Sequence, residues 1–161
     1  MEGACGKILD TEDPKVVIKK VHRRNRAHYR TGSLRAEQQM RLQECARKAC
    51  EAAQFKLLFV PKAWGAERFQ YKMERIQVDK PLELMDVKNH PVLEELKAFY
   101  SLAKRNALFP ADYELYVQPD GRVAMVDFDK FGKWLFIRGE VVFPWGQVSK
   151  DKELLEPLGL L

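Results

Sequence analysis

Long apolar runs are missing from this chain. No stretch approaches the roughly 20 residues that a membrane-spanning helix needs, so a membrane protein is not expected. Cysteine is scarce too. Cys5, Cys45 and Cys50 are too few and wrongly spaced for a disulfide framework or a zinc site, which points to an intracellular compartment, cytoplasmic or nuclear. His22, His28 and His90 lack metal-ligand spacing and read as structural or surface residues. The opening Met-Glu-Gly-Ala-Cys-Gly has no basic start followed by an apolar run, so no secretory signal is expected. No internal repeat or low-complexity linker interrupts the sequence, and one domain over residues 1–161 is expected.

What remains is the composition of a soluble globular protein, 46% hydrophobic and 32% charged, long enough to bury a core. The net charge of +5 is concentrated at residues 22–35, where Arg23, Arg24, Arg26, Arg30 and Arg35 lie near Tyr29. Such a stretch is commonly a solvated loop. It also supports an alternative reading, a basic adaptor that binds nucleic acid or an acidic protein partner through residues 22–35.

The local patterns predict an α+β fold. Residues 3–9 and 15–21 read as strands joined by a turn at Thr11-Glu-Asp-Pro14, the second strand rich in β-branched residues. Ser33 is placed to cap a long helix that runs to about Phe55. Residues 56–60 and 69–76 read as further strands, linked by a loop with Pro61 and Gly65. Together these predict an antiparallel five-stranded sheet with one long inserted helix. A connector over 79–91 leads to a helix near 91–106, whose Val92, Leu93, Leu96, Phe99, Tyr100 and Ala103 share one face. A hairpin follows, 113–117 and 123–128, turned by Asp120-Gly121.

The hairpin's second strand, Val123-Ala-Met-Val-Asp-Phe-Asp-Lys-Phe-Gly132, delivers Asp127 and Asp129 at its end. A carboxylate closing an apolar run is costly to desolvate without a partner, so Asp127 reads as functional; Asp129 could face solvent by strand alternation. Lys19, taken alone, reads as a solvated residue at a strand end. Glu37, near capping-box spacing from Ser33, reads alone as a helix-start glutamate.

In this order, the elements and motifs resemble the protein-kinase-like fold. Val16-Val-Ile-Lys19 resembles the strand that carries the phosphate-binding lysine, and Glu37 stands near the position of the helix glutamate that holds it. Gly3-Ala-Cys-Gly-Lys-Ile8 resembles the second half of the glycine-rich loop, whose first glycine would precede Met1. Tyr71-Lys-Met-Glu-Arg-Ile76 resembles the strand that runs into the hinge. The resemblance implies Met73 at the back of an adenine pocket, with the backbones of Glu74 and Ile76 at the adenine edge. It also implies ATP and magnesium as cofactors, the metal on Asp127 with Glu114 or Asp129.

The departures are as informative. The family's His-Arg-Asp and following asparagine are missing, their aspartate and asparagine positions falling on Phe109 and Glu114. Asp112 is the carboxylate near enough to act as a base. The stretch after Asp129 leaves no room for a standard activation segment and substrate-binding lobe. The resemblance therefore implies a minimal, degenerate member: a small lobe over about 1–78 and a reduced second lobe over 79–161, made of one helix and a hairpin. It would bind nucleotide or a protein partner in preference to acting as an efficient enzyme. Asp-Tyr-Glu before the hairpin and Asp-Phe-Asp-Lys-Phe-Gly after it are also similar to a fungal kinase-like domain family of unknown function.

Overall fold

In the computed structural model the described residues are 2–3, 6–21, 36–106, 108–110, 113–128, 132–133, 135–137, 140–142 and 157–160. The elements, in chain order, begin with β1 (Glu2–Gly3), β2 (Gly6–Asp10), β3 (Val16–Val21) and the long helix α1 (Ala36–Ala52). Then come β4 (Leu58–Phe59), β5 (Ala63–Trp64), β6 (Gln70–Glu74) and the helices α2 (Leu84–Val87) and α3 (Leu93–Arg105). The last are β7 (Leu108–Phe109), β8 (Glu114–Val117), β9 (Val123–Val126), β10 (Gly132–Lys133), β11 (Leu135–Ile137) and β12 (Glu140–Val142). None of the described helices is long and apolar enough to cross a membrane.

The α+β expectation holds, with a different assignment of strands. The first sheet is antiparallel in the order β1-β2-β3-β6-β5, and two of its five strands, β1 and β5, are only two residues long. Residues 56–60 were expected there. Instead β4 lies parallel to β9 in a second sheet of order β4-β9-β8, and β5 arises from the expected loop beside Gly65. The reason lies in Leu58 and Val60, which are buried in one core with residues of α1 and α3, and in an acidic side chain that seizes the start of β4. Glu95, in the first turn of α3, accepts the backbone N–H groups of Lys56, Leu57 and Leu58 at 2.8, 2.9 and 2.6 Å. The second half of the chain also holds more than one helix and a hairpin, since α2 and the paired strands β7–β10 and β11–β12 accompany them. Because β4 pairs with β9, a division at residue 78 cuts through a sheet.

Two apolar cores result. The larger gathers Ala46 and Cys50 of α1, Leu96, Phe99 and Tyr100 of α3, Leu115, Val123 and Met125 from the second sheet, and Phe128 just beyond β9. Leu158 and Leu160 of the C-terminal tail join it. Burial pushes the Cys50 thiol up to about 12, with the Glu95 and Glu51 carboxylates adding to it, so this is an inert core thiol. The smaller core lies under the first sheet: Val17 and Val21 of β3, Tyr71 and Met73 of β6, Ala63 and Ala36.

Turn chemistry fixes the connections. Thr11 Oγ1 donates to the Asp13 and Val16 carbonyls, and the Lys15 N–H donates to Asp13 Oδ1, closing the expected β2–β3 turn. At the β8–β9 hairpin Gly121 has φ 87°, and Asp120 accepts both the backbone N–H and Nε of Arg122. His90 has the structural role expected of it: its Nδ1 accepts the Val92 N–H at the start of α3.

Helix α1 stops at Ala52, short of Phe55, because residue 54 turns left-handed. The Phe55 N–H reaches the Cys50 carbonyl and the Gln54 N–H the Glu51 carbonyl, the paired bonds of a Schellman cap. Gln54 occupies the position, at φ 57°, where glycine is cheapest. Gln54→Gly is therefore expected to stabilise the protein by about 0.5–1 kcal/mol, relief of left-handed strain outweighing the added freedom of the unfolded chain. Urea unfolding checks it; an unchanged or lowered midpoint would contradict the strain argument.

Candidate functional site

β3 is a central strand, flanked by β2 and β6, and its residues alternate between the two faces of the sheet. Val17, Lys19 and Val21 point inward. Lys19 is thus no solvated end residue: it is 8% exposed and opposes Tyr71 in the register with β6. An ammonium group in that position needs a partner of opposite charge. Its Nζ lies 2.8 Å from Oδ1 of Asp127, which directly follows β9 of the other sheet.

The backbone explains how Asp127 reaches it. Along β9, Met125 packs into the larger core and Val126 against the smaller one. Unbroken alternation would send Asp127 toward the larger core and Phe128 away from it. Phe128 is instead fully buried in the larger core. Asp127 carries the reversal with φ 75°, a left-handed conformation that aspartate tolerates better than most residues. Flanking side chains anchored in different cores hold the carboxylate between the sheets, facing Lys19.

Glu114 opposes Val126 in the β8–β9 register, one residue before Asp127, and its Oε2 accepts the Tyr116 hydroxyl at 2.7 Å. Burial raises the Tyr116 phenol well above its ordinary range, and the bond to Glu114 and the charges of Glu114, Asp127 and Glu83 raise it further. Tyr116 is consequently a fixed hydrogen-bond donor that orients Glu114. The first sheet supplies the remaining side of the site. Gly3 pairs with Gly6 at the β1–β2 hairpin, and Gly6 opposes Val21, two positions beyond Lys19.

Other expected site residues lie elsewhere. Glu37 is exposed and ion-paired with Arg41 at 2.7 Å, so the carboxylate meeting Lys19 comes from Asp127 and not from α1. Helical geometry accounts for this: the buried stripe of α1 is Ala36, Gln39, Gln43, Ala46 and Cys50, and Glu37 falls outside it. The 3-4-3-4 spacing of that stripe was readable, but it puts neutral glutamines where a charge was expected. Gln43 is fully buried, accepting from the Tyr71 hydroxyl at 3.2 Å and donating to the Pro61 carbonyl at 2.9 Å. Met73 is buried in the smaller core opposite Val17.

Glu74 and Ile76 border a groove of about 430 Å³ that Lys15, Phe59, Gln118 and Arg122 also line. The Glu74 N–H is already bonded to the Lys62 carbonyl and its Oε2 accepts the Lys62 N–H. The groove sits at the Lys15 end of β3, four residues from Lys19, or about 13 Å of extended strand. Neither Lys19 nor Asp127 lines it. Asp112, Asp129 and the basic stretch 22–35 lie outside the described residues, as do Ser33 and Trp145.

Chemically, the site offers an ammonium with a carboxylate in contact, and a second carboxylate one strand away. Among the described residues no cluster of three metal-ligating side chains is formed. An amine suits phosphate oxygens, and carboxylate oxygens suit a hard divalent cation. No protein-family model and no curated protein matches this chain.

Proposed function

We propose that this protein is a degenerate, protein-kinase-like module that binds a nucleoside polyphosphate together with a divalent cation. Lys19 would contact phosphate oxygens, and Asp127 with Glu114 would hold the cation. The supporting observation is the Lys19–Asp127 pair, a charge on β3 and a charge at the end of β9 brought together at 2.8 Å. The donor set fits the implied cofactors: one buried cationic nitrogen for phosphate, and carboxylate oxygens for magnesium. Tyr116 keeps Glu114 turned in a fixed direction. Gly3 and Gly6 would let the β1–β2 hairpin approach the phosphates closely. Binding is favoured over turnover because Phe109 stands where the family has its catalytic aspartate.

The test is thermal unfolding with ATP and magnesium. At ten times Kd, a ligand specific for the folded state adds about 1.4 kcal/mol, which raises Tm by about 3–6 °C for a chain of this size. The wild-type protein is expected to show this rise, and Asp127→Asn and Lys19→Met, each compared with its own ligand-free baseline, to lose most of it. No rise in the wild type at millimolar ATP would end the nucleotide reading.

A further inference from the structure

We propose that the outer face of the first sheet is a binding surface for single-stranded nucleic acid. This face is turned away from Lys19 and its partner Asp127, and it is independent of the nucleotide site.

Strand alternation assigns its residues. In β3, Val17, Lys19 and Val21 point inward, which leaves Val16, Ile18 and Lys20 on the other side. The registers carry that side across the neighbouring strands. Lys7 of β2 directly opposes Lys20, Lys72 of β6 opposes Ile18, and Trp64 of β5 opposes Lys72. Lys7, Lys20, Lys72 and Trp64 therefore form one diagonal line across four strands, about 15 Å wide. The lysines are exposed and Trp64 is half-buried.

Stability alone does not favour this arrangement. Like charges directly opposite on adjacent strands repel, and Lys7 and Lys20 hold those positions. Among the described residues none of Lys7, Lys20 and Lys72 has an ion pair. Two acidic residues share the face. Glu2 opposes Lys7 from the short edge strand β1, and Glu74 ends β6, its Oε2 accepting the Lys62 N–H. Lys62 adds a further ammonium, 5.9 Å from the centre of the Trp64 ring.

The chemistry selects the partner. Ammonium groups set about 5 Å apart for the opposed pair and about 7–8 Å apart on the diagonal suit a chain of phosphates. The tryptophan at the end of the line offers a ring on which an unpaired base stacks, whatever the base. A duplex keeps its base faces inside its own stack and an acidic peptide carries no bases, so Trp64 favours a single strand over both.

The probe is a fluorescein-labelled oligouridylate of about 12 nucleotides, its binding read by fluorescence anisotropy. Joint substitution Lys7→Gln, Lys20→Gln and Lys72→Gln is expected to weaken binding about tenfold or more. It should also lower the slope of log affinity against log salt by about 2, since each phosphate contact to a single strand contributes about 0.7. Trp64→Leu should weaken binding about tenfold with the slope unchanged, and Trp64→Phe should restore most of it. Joint substitution Lys48→Gln, Lys56→Gln and Lys88→Gln, at exposed lysines off this sheet, removes equal charge and should weaken binding far less. The face variant should unfold at the wild-type urea midpoint or above it, because the Lys7–Lys20 repulsion is gone, so its loss of binding is not a loss of fold. The proposal is overturned if the wild type does not bind, if the control loses as much as the face variant, or if a duplex or polyglutamate competes equally well. Binding that survives in the face variant but is lost on charge removal at Arg23, Arg24 and Arg26 would overturn it too, and would move the contact to residues 22–35.

Discussion

Asp127→Asn is expected to lower the unfolding free energy by about 2–3 kcal/mol, whereas Lys19→Met should change it by less than about 1 kcal/mol or raise it. The two substitutions break one ion pair, yet they leave charges of different exposure behind. Asparagine keeps the size and left-handed tolerance of aspartate, so the backbone at φ 75° is not the source of the loss. What it removes is the charge facing an ammonium whose side chain is only 10% exposed. Stranding a fully buried charge costs about 3–5 kcal/mol, and the partial access of water at the pair, where the Asp127 side chain is 31% exposed, reduces that.

The reverse change strands a group that water can reach. Methionine keeps the length of the lysine stem and extends the apolar surface of Val17, Val21 and Tyr71. Urea midpoints of both variants decide the matter. Equal losses would mean that the pair acts as a simple attraction, and that Lys19 is not held in place at a desolvation cost.

The Lys19–Asp127 pair was legible in the sequence from one side only. Asp127 was identifiable because a carboxylate at the end of Val-Ala-Met-Val must be compensated wherever that strand is buried. Lys19 was misjudged when read as a solvated end residue, although Val17-Ile-Lys-Lys-Val21 already alternates and puts Lys19 on the valine face. Whether that face is buried depends on β3 having a strand on each side, a long-range fact. The left-handed turn at Asp127 was invisible for a related reason: it is imposed by which core Phe128 enters.

The helices were the most legible elements. Leu96, Phe99, Tyr100 and Ala103 of α3 are buried, as their spacing indicated. The identification of Glu37 as the lysine's partner rested on the kinase resemblance, and helical phase overrules it. The groove between Glu74 and Arg122 had no local signal, because it is bordered by segments that meet only after both sheets form. The Asp120-Gly121 turn, by contrast, is specified within a few residues and appears where expected.

The short apolar run at 56–60 could not declare its sheet, since parallel pairing with β9 is set by distant residues. Its placement is controlled by Glu95, and Glu95→Ala is expected to be the most damaging single substitution outside the site, at about 3–4 kcal/mol. One carboxylate receives three backbone N–H groups, and the Leu57 and Leu58 bonds are part-buried. A net hydrogen bond to a charged group contributes about 1.5–3 kcal/mol, but bonds that share an acceptor do not add in full, which sets the range. Glutamine offers no rescue beyond one oxygen, because its NH₂ would face donors, so Glu95→Gln should recover less than half of the loss. Glu94→Ala is the control. It lies on the same helical turn, is exposed, and pairs only at the surface with Lys97 at 3.2 Å, so about 0.5 kcal/mol or less is expected. With a urea slope of about 2 kcal/mol/M, Glu95→Ala should move the midpoint down by about 1.5–2 M and Glu94→Ala hardly at all. Equal, small shifts for the two would show that β4 is held by its apolar contacts alone, and that the carboxylate is incidental to which sheet it joins.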